Sequence, residues 1–330
     1  MLYMTSDITI GTYAQVKPAK VSWKLDINSY TDVCTIELPR ITYMKTAKTA
    51  TDDLTQQNDK LEYDIREGDK VSVLLGYDQN NVKRFEGYVK RVNMSIPVKV
   101  ECEGYNWLLY DKMFNKSYKS VTVKQILTEL CQDTDIVLSP EIPEIPLRNV
   151  FFKNSTGVQV LEFLKKECRL AVYFNFNVLY VGTLYGQQQE VVKFRLGWNT
   201  VKEDNFKLRN VDKNVRIVIR EKDPNGHVHK TQADVRKYSD EKVVKVKAGI
   251  RGDLLKDIVN RLQTTANYNG YEGDITVFLE PAVTKGMIAE IDGYKYPEKS
   301  GRFFVESVDG EFSKSGGRQT IGLGFLSPKK

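Results

Sequence analysis

The sequence predicts a mainly β protein with an α+β insertion. Apolar residues alternate with period two through much of the chain, as in Val21, Trp23, Leu25 and Ile27. Helical spacing is confined to three short stretches, and turn formers such as "NSYTD", "DQNN" and "DPNG" punctuate the alternating runs.

The first two strands read as Val21 to Ile27 and Cys34 to Leu38, closed by Pro39, which has no N–H to give a ladder. Residues 41–60, "ITYMKTAKTATDDLTQQNDK", are polar and read as a long loop; a disordered loop would look the same. The stretch "REGDKVSVLLGYDQNNVKRFEGYVKRV" reads as a hairpin, and "VKVECEG" adds another strand. Four to six strands by Tyr110 suit a small antiparallel barrel or sandwich, and barrel closure would remove exposed edges.

The period changes near Ser120. Val123, Ile126, Leu127 and Leu130 follow helical spacing, with Thr122 and Gln125 placed to form a capping box. "SPEIPEIP" reads as a connector. A second helix from about Gly157 to Cys168 has its capping box at Thr156 and Gln159. Two short strands follow, "LAVYFNF" and "VLYVG". β structure then returns around "NVRIVIREKDPNGHVHK", interrupted by a helix from about Asp253 to Thr264. The expected organisation is a first β unit, barrel or sandwich, over 1–112, with the long loop at 41–60. An α+β middle domain over 113–200 follows, then a second β unit over 201–330 with one helix, both units being barrels if the resemblance given below holds.

Two distant stretches match. Gly68-Asp69-Lys70-Val71-Ser72-Val73 lies over Gly286-Met287-Ile288-Ala289-Glu290-Ile291, and Tyr88-Val89-Lys90-Arg91-Val92 over Phe304-Val305-Glu306-Ser307-Val308. Each begins at a glycine able to turn the chain and ends in aromatic-Val-x-x-Val. Any two hairpins share some of this pattern. As markers of one repeated unit we take Gly68, Phe85, Tyr88 and Val89 with Gly286, Phe303, Phe304 and Val305. The aromatic residues among them are expected in barrel cores or between barrels.

Composition narrows the function. With 41% apolar and 28% charged residues, the chain can bury a core. No apolar run approaches the roughly 18 residues that span a bilayer, so no membrane anchor is expected. The N-terminus lacks the pattern of a secretory signal, so assembly in the cytoplasm is expected, which the resemblance given below makes a bacterial one. A net charge of +6 comes from interspersed charges, 49 basic and 43 acidic, which is a solvated surface more than a nucleic-acid footprint. Cys34, Cys102, Cys131 and Cys168 are too scattered for a zinc knuckle or redox pair and read as buried thiols.

Candidate chemistry is sparse. His227 and His229 would share one face of a strand, but a third metal ligand is lacking apart from Asp223 across the turn. Glu101 and Glu103 share a strand face and read as solvated acids, not as a catalytic pair. No phosphate-binding loop, Gly-x-Ser-x-Gly or His-Glu-x-x-His occurs. Arg251-Gly252-Asp253 reads as a helix start more simply than as an adhesion motif. No enzyme, cofactor or metal is expected. Lysines interleaved with aromatics in "YDKMFNKSYKS" leave one alternative, a small-barrel module binding nucleic acid or carbohydrate.

The order of motifs resembles a known family. "DVCTIELPR", "REGDKVSVLLGY" and "RFEGYVKRV" resemble the first barrel of phage late control protein D and related baseplate hub proteins of contractile tails. "SVTVKQILTELC" and "STGVQVLEFLKKECRLAVYFNFNVLYVG" are similar to that family's middle segment. "LEPAVTKGMIAEIDG" and "GRFFVESVDGEFSKSGGRQTIGLGF" are similar to its closing barrel.

The resemblance implies a homotrimer with two tube-like antiparallel β-barrels per subunit. Three subunits would form a pseudo-sixfold ring, adapting a sixfold tail tube to a trimeric spike in a phage tail or a phage-derived injection system. Implied partners are the tail tube or a tube-initiator protein, a spike and a tape measure protein, with DNA only as passing cargo. Because the sequence ends at "GFLSPKK", the spike is expected on a separate chain. The long loop is expected to reach the adjoining tube layer through Lys45, Lys48, Asp52, Asp53, Gln56 and Gln57.

Overall fold

A computed structural model describes residues 3–39, 42–46, 55–57, 65–184, 190–211, 214–222, 227–232, 238–246 and 252–326. The opening half holds β1 (Met4–Ile10), β2 (Tyr13–Ala14), β3 (Lys20–Asp26), β4 (Val33–Leu38), β5 (Thr42–Thr46), β6 (Thr55–Gln57), β7 (Lys70–Tyr77), β8 (Asn80–Asn93) and β9 (Val98–Glu103). The middle holds β10 (Met113–Thr122), α1 (Val123–Cys131), β11 (Val137–Leu138), β12 (Pro146–Thr156), α2 (Gly157–Lys166), β13 (Ala171–Asn175) and β14 (Val178–Gly182). Next come β15 (Val191–Arg195), β16 (Thr200–Lys202), β17 (Lys207–Arg209), β18 (Val215–Lys222), β19 (Val228–Gln232) and β20 (Asp240–Lys245). The chain closes with α3 (Asp253–Ala266), β21 (Gly270–Phe278), β22 (Ile288–Asp292), β23 (Gly301–Ser313) and β24 (Gly316–Leu326).

The protein is mainly β and its sheets are mostly antiparallel. One sheet runs through both halves in the order β16-β21-β24-β23-β3-β4-β9-β8-β7-β1-β2-β5-β6, with β17 on β21 and β15 on β22. Among the described residues this ladder stays open and does not close into a barrel. The two halves repeat one strand order. The opening half reads β3-β4-β9-β8-β7-β1 and the closing half β16/β17-β21-β24-β23-β22-β15. They differ at the last strand, which is antiparallel in β1–β7 and parallel in β15–β22. Residues alternate between core and polar face, as in β3, where Val21, Trp23 and Leu25 are buried. Ile36, Val73, Val100, Ile275, Val305 and Ile321 meet in a core shared by both halves.

Both helices of the middle segment start as their sequence dictates. Thr122 accepts from the Gln125 N–H while Gln125 accepts from the Thr122 N–H. Thr156 and Gln159 repeat the exchange, satisfying N–H groups that a helix start leaves open. Their apolar stripes pack on the β10–β12 ribbon and the β13–β14 hairpin in a second core.

Three expectations are corrected. The segment at 41–60 is not all loop, because β5 and β6 pair antiparallel through Thr42↔Gln57 and Met44↔Thr55. Thr42, Tyr43, Thr46 and Thr55 are residue types that suit strands without being strongly apolar. The closing half starts before 201, since β15 pairs with β22 and Thr200 with Val277. The sheet β19-β18-β20 and α3 do not join the closing half's core. Ile219, Val246, Leu255, Ile258 and Val259 pack with the middle segment. An amphipathic stripe says that a helix buries a face, not which partner it meets.

Candidate assembly interface

The two matched hairpins carry the same backbone bonds. The Gly68 N–H donates to the Val89 carbonyl and the Val89 N–H to the Asp69 carbonyl, both at 2.8 Å. The Gly286 N–H donates to the Val305 carbonyl and the Val305 N–H to the Met287 carbonyl, both at 2.9 Å. Gly68 and Gly286 have φ of +88° and +87°. A Cβ on Gly68 would meet nothing within 4 Å, so backbone conformation, not space, requires the glycine there. The next strand pair also agrees. The register shifts between Val89 and Arg91 on β8 and between Val305 and Ser307 on β23, a bulge at corresponding places.

The marker side chains divide between the two cores. Phe85, Val89, Phe303 and Val305 are buried in the core shared by the halves. Tyr88 and Phe304, the aromatic residues just before each valine, are buried against the middle segment. Phe303 meets Phe206 edge-on at 5.1 Å, and Tyr88 meets Tyr105 edge-on at 5.5 Å.

A strand seam joins the halves. The outer part of β23 pairs with β3 from Ser307↔Asp26 to Ser313↔Lys20. Gly310 lies opposite Trp23, and a Cβ there would stand 2.0 Å from the indole. Gly310→Ala is therefore expected to cost about 2 kcal/mol or more, read from the chemical denaturation midpoint, because either the ring or a strand must move.

Two buried cations cross between the halves. Arg84 on β8 donates to the Leu279 carbonyl at 2.7 Å and lies 3.5 Å from Gln319 Oε1. Burial pushes its guanidinium down to about 10, which leaves it charged at neutral pH. In the other direction, Lys285 donates to the Asp32 carboxylate and lies 3.4 Å from the Asp26 carbonyl. Lys285 and Asp32 side chains are only 1% and 7% exposed. Burial raises the Asp32 carboxyl above its ordinary range, with Lys285 opposing that rise.

The sheet face away from the shared core is polar and laced with ion pairs between neighbouring strands. Lys20 pairs with Glu311 at 2.9 Å, Lys24 with Asp309 at 3.6 Å and Lys99 with Glu37 at 3.5 Å. Arg91 pairs with Glu101 at 2.8 Å and Arg209 with Glu272 at 3.0 Å. A cavity of about 420 Å³ opens beside the last pair, lined also by Asp274, Glu306 and Asp309. Burial, then the nearby Asp26 and Glu272 charges, raise the Glu306 carboxyl.

Among the open strand edges of the described residues, two stand at places that matter for how the halves repeat. β16 and β17 pair only with β21. On β8, Arg91 to Asn93 pair with β9, and no strand lies on their other side. Exposed apolar side chains stand at both places, Val201 and Leu208 on the first edge, Met94 and Ile96 beyond the second.

Of the loop residues expected at an interface, Lys45 lies on β5 and Gln56 and Gln57 on β6. Lys48, Asp52 and Asp53 lie outside the described residues, as do Asp223 to Gly226 of the "DPNG" turn and Arg251. Glu101 and Glu103 do not stand alike. Glu101 is held by Arg91 and Asn93, while Glu103 is buried and takes a bond from Lys90. His227 and His229 are exposed beside β18. The four cysteines are buried and none is in a disulfide. No helix among the described residues is long and apolar enough to cross a membrane. Sequence reasoning missed Arg84, Asp32 and Lys285. Their only signal is charge within otherwise ordinary segments, because their partners come from the other half.

No family model and no curated protein matches the sequence. Solved structures do match. The 43 kDa tail protein of prophage MuSo2 from Shewanella oneidensis is 12% identical with a TM-score of 0.67, covering 97% of this chain and 98% of that one. The tail protein from Neisseria meningitidis MC58 is also 12% identical with a TM-score of 0.67, covering 98% and 96%. An E. coli type VI secretion component, described as similar to the T4 bacteriophage tail proteins gp27 and gp5, is 11% identical with a TM-score of 0.56, covering 97% and 77%. Along nearly its whole length the chain has the fold of phage tail proteins, the fold that its order of motifs resembles.

Proposed function

We propose that this chain is a structural, non-catalytic baseplate hub of a phage tail or phage-derived contractile injection system. Three copies would form a ring of six related halves, placed between a sixfold tail tube and a trimeric spike. The observation that carries this reading is the pair of open edges. Within the chain, the outer part of β23 is covered by β3 of the other half. Among the described residues, the corresponding part of β8 lacks such a cover, and β16–β17, the counterpart of β3, lacks a strand on its outer side.

If β16–β17 of one copy covers β8 of the next, every half meets its neighbour through the same kind of seam. Such a heterologous contact makes a ring when its rotation closes. It would also remove edges that otherwise invite uncontrolled pairing. Even charges correspond. Lys20 and Lys24 on β3 face Glu37 and Val33, and Lys202 and Lys207 on β16–β17 face Thr276 and Glu272 at matching steps of the ladder.

The test is native mass with and without a block at the edges. The unmodified protein should run at three times the 37.9 kDa of one chain. Leu208→Asp or Ile96→Asp, exposed positions whose change spares the fold, should shift it to one chain. An unchanged trimer in both variants would refute this seam. Partners in this reading are the tail tube or its initiator, the spike and a tape measure protein. The segment from Lys45 to Asp59 would reach the tube layer. Deleting it removes β6 and the end of β5, so it should cost edge pairing while sparing the fold, and it should weaken binding to tube protein at least about tenfold, roughly 1.4 kcal/mol. Unchanged binding would remove that assignment.

A further inference from the structure

We infer that the turns just beyond β15 and β22 form an aromatic socket for a second copy of this chain, whose β8–β9 tip seats there beside the strand seam. This rests on the ring reading above and names a separate contact within it. Inside the chain, a long hairpin faces a short turn. β23 continues from Val305 to Ser313 and turns at residues 314–315. At its tip Lys314 and Arg318 share a groove of about 530 Å³ with Met4 and Tyr77, at the ends of β1 and β7. There β7 and β8 are joined only by residues 78–79. In the other pairing the lengths are exchanged. β8 continues from Val89 only to Asn93 and turns at residues 94–97. β22 and β23, the counterparts of β7 and β8, are joined by the longer loop 293–300. A shorter tip on one side is matched by a longer loop on the other, as two surfaces that meet at a repeated seam require.

The exposed side chains fit this pairing. Met94 and Ile96 are 54% and 79% exposed on the β8–β9 tip. Trp198, Tyr294 and Tyr296 are 81%, 68% and 52% exposed just beyond β15 and β22. These two strand ends lie side by side, because the Leu196 N–H donates to the Asp292 carbonyl at 2.9 Å. Both turns are pinned by their own hydroxyls. The Gly197 N–H donates to Thr200 Oγ1 at 2.8 Å, and the Gly293 N–H to Ser300 Oγ at 2.9 Å. Cations hold two of the rings, with the Arg195 guanidinium 4.5 Å from the centre of Tyr294 and Lys299 Nζ 5.2 Å from that of Tyr296. Rings fixed before contact lose little freedom on binding, and Trp and Tyr are the usual anchors of protein contacts. The tip that meets them, "MSIP", carries no charged side chain. It can be buried against rings without stranding an ion.

The experiment joins the two surfaces through new thiols. Ile96→Cys and Tyr296→Cys are combined in one chain, treated with a short bismaleimide and run on a denaturing gel. The native cysteines are buried, and each single variant measures what background they leave. The double variant should give linked species of two and three chains, which the single variants lack. Met94→Cys with Trp198→Cys is the second pair, and serves if the first does not fold or assemble. Native mass of the same samples judges the strand seam separately. No linked species from either pair, in a protein that still runs as a trimer, would overturn the inference, leave the seam standing and give the rings to another partner. A protein that runs as a single chain and yields no linked species would overturn both.

Discussion

Lys285→Met is expected to destabilise the protein by about 3–5 kcal/mol, read from the denaturant midpoint. The substitution keeps the bulk of the side chain and removes the ammonium, leaving the Asp32 carboxylate buried with its main partner gone. Adding Asp32→Asn should recover most of the loss, because a neutral amide is far less costly to bury than an unpaired charge. The deficit should also depend on pH. Without Lys285 to oppose it, burial raises the folded-state pKa of Asp32 further. The folded protein then binds a proton more readily than the unfolded chain, so stability falls as pH rises. The deficit should therefore shrink as pH drops through the raised value towards the unfolded carboxyl's, near about 4. A loss below about 1 kcal/mol, or one that is flat with pH, would mean the pair does not lock the halves as described.

Phe304→Ala is expected to cost a similar amount, about 3–5 kcal/mol, with a particular pattern. Phe303 and Phe304 are neighbours on β23 that point into different cores, and Phe304 is the one packed with the middle segment. Its loss should loosen the middle segment first. Limited proteolysis should then cut within 113–182 before it cuts the long sheet. Tyr88→Ala, at the corresponding place on β8, should show the same order of cutting. If both variants are cut first in the long sheet, the two aromatics do not tie the middle segment to the halves.

The parts of this fold that were legible in the sequence are those decided locally. The capping boxes at Thr122–Gln125 and Thr156–Gln159 need only four consecutive residues, and both form. The turn glycines Gly68 and Gly286 were visible for the same reason. What stayed hidden depends on partners far along the chain. Asp32 and Lys285 are 253 residues apart, and Arg84 and Gln319 are 235 apart. Nothing near any of them marks the contact. The stripe of α3 announced burial, but its destination in the middle core follows from how β18–β20 are placed. The closing counterpart of β3 was hard to see because it is broken into β16 and β17, each only three residues long. The polar face reads in sequence as ordinary solvated charge. Only the register, with Lys24 beside Asp309 and Lys20 beside Glu311, reveals it as pairs.

In the proposed assembly, three chains make a ring of six related halves. Electron-microscope class averages of the purified protein, alone and with tube and spike proteins, test it most directly. The expected result is a closed ring of three copies with six similar lobes around a central opening. A single chain under every condition, including with those partners, would contradict it.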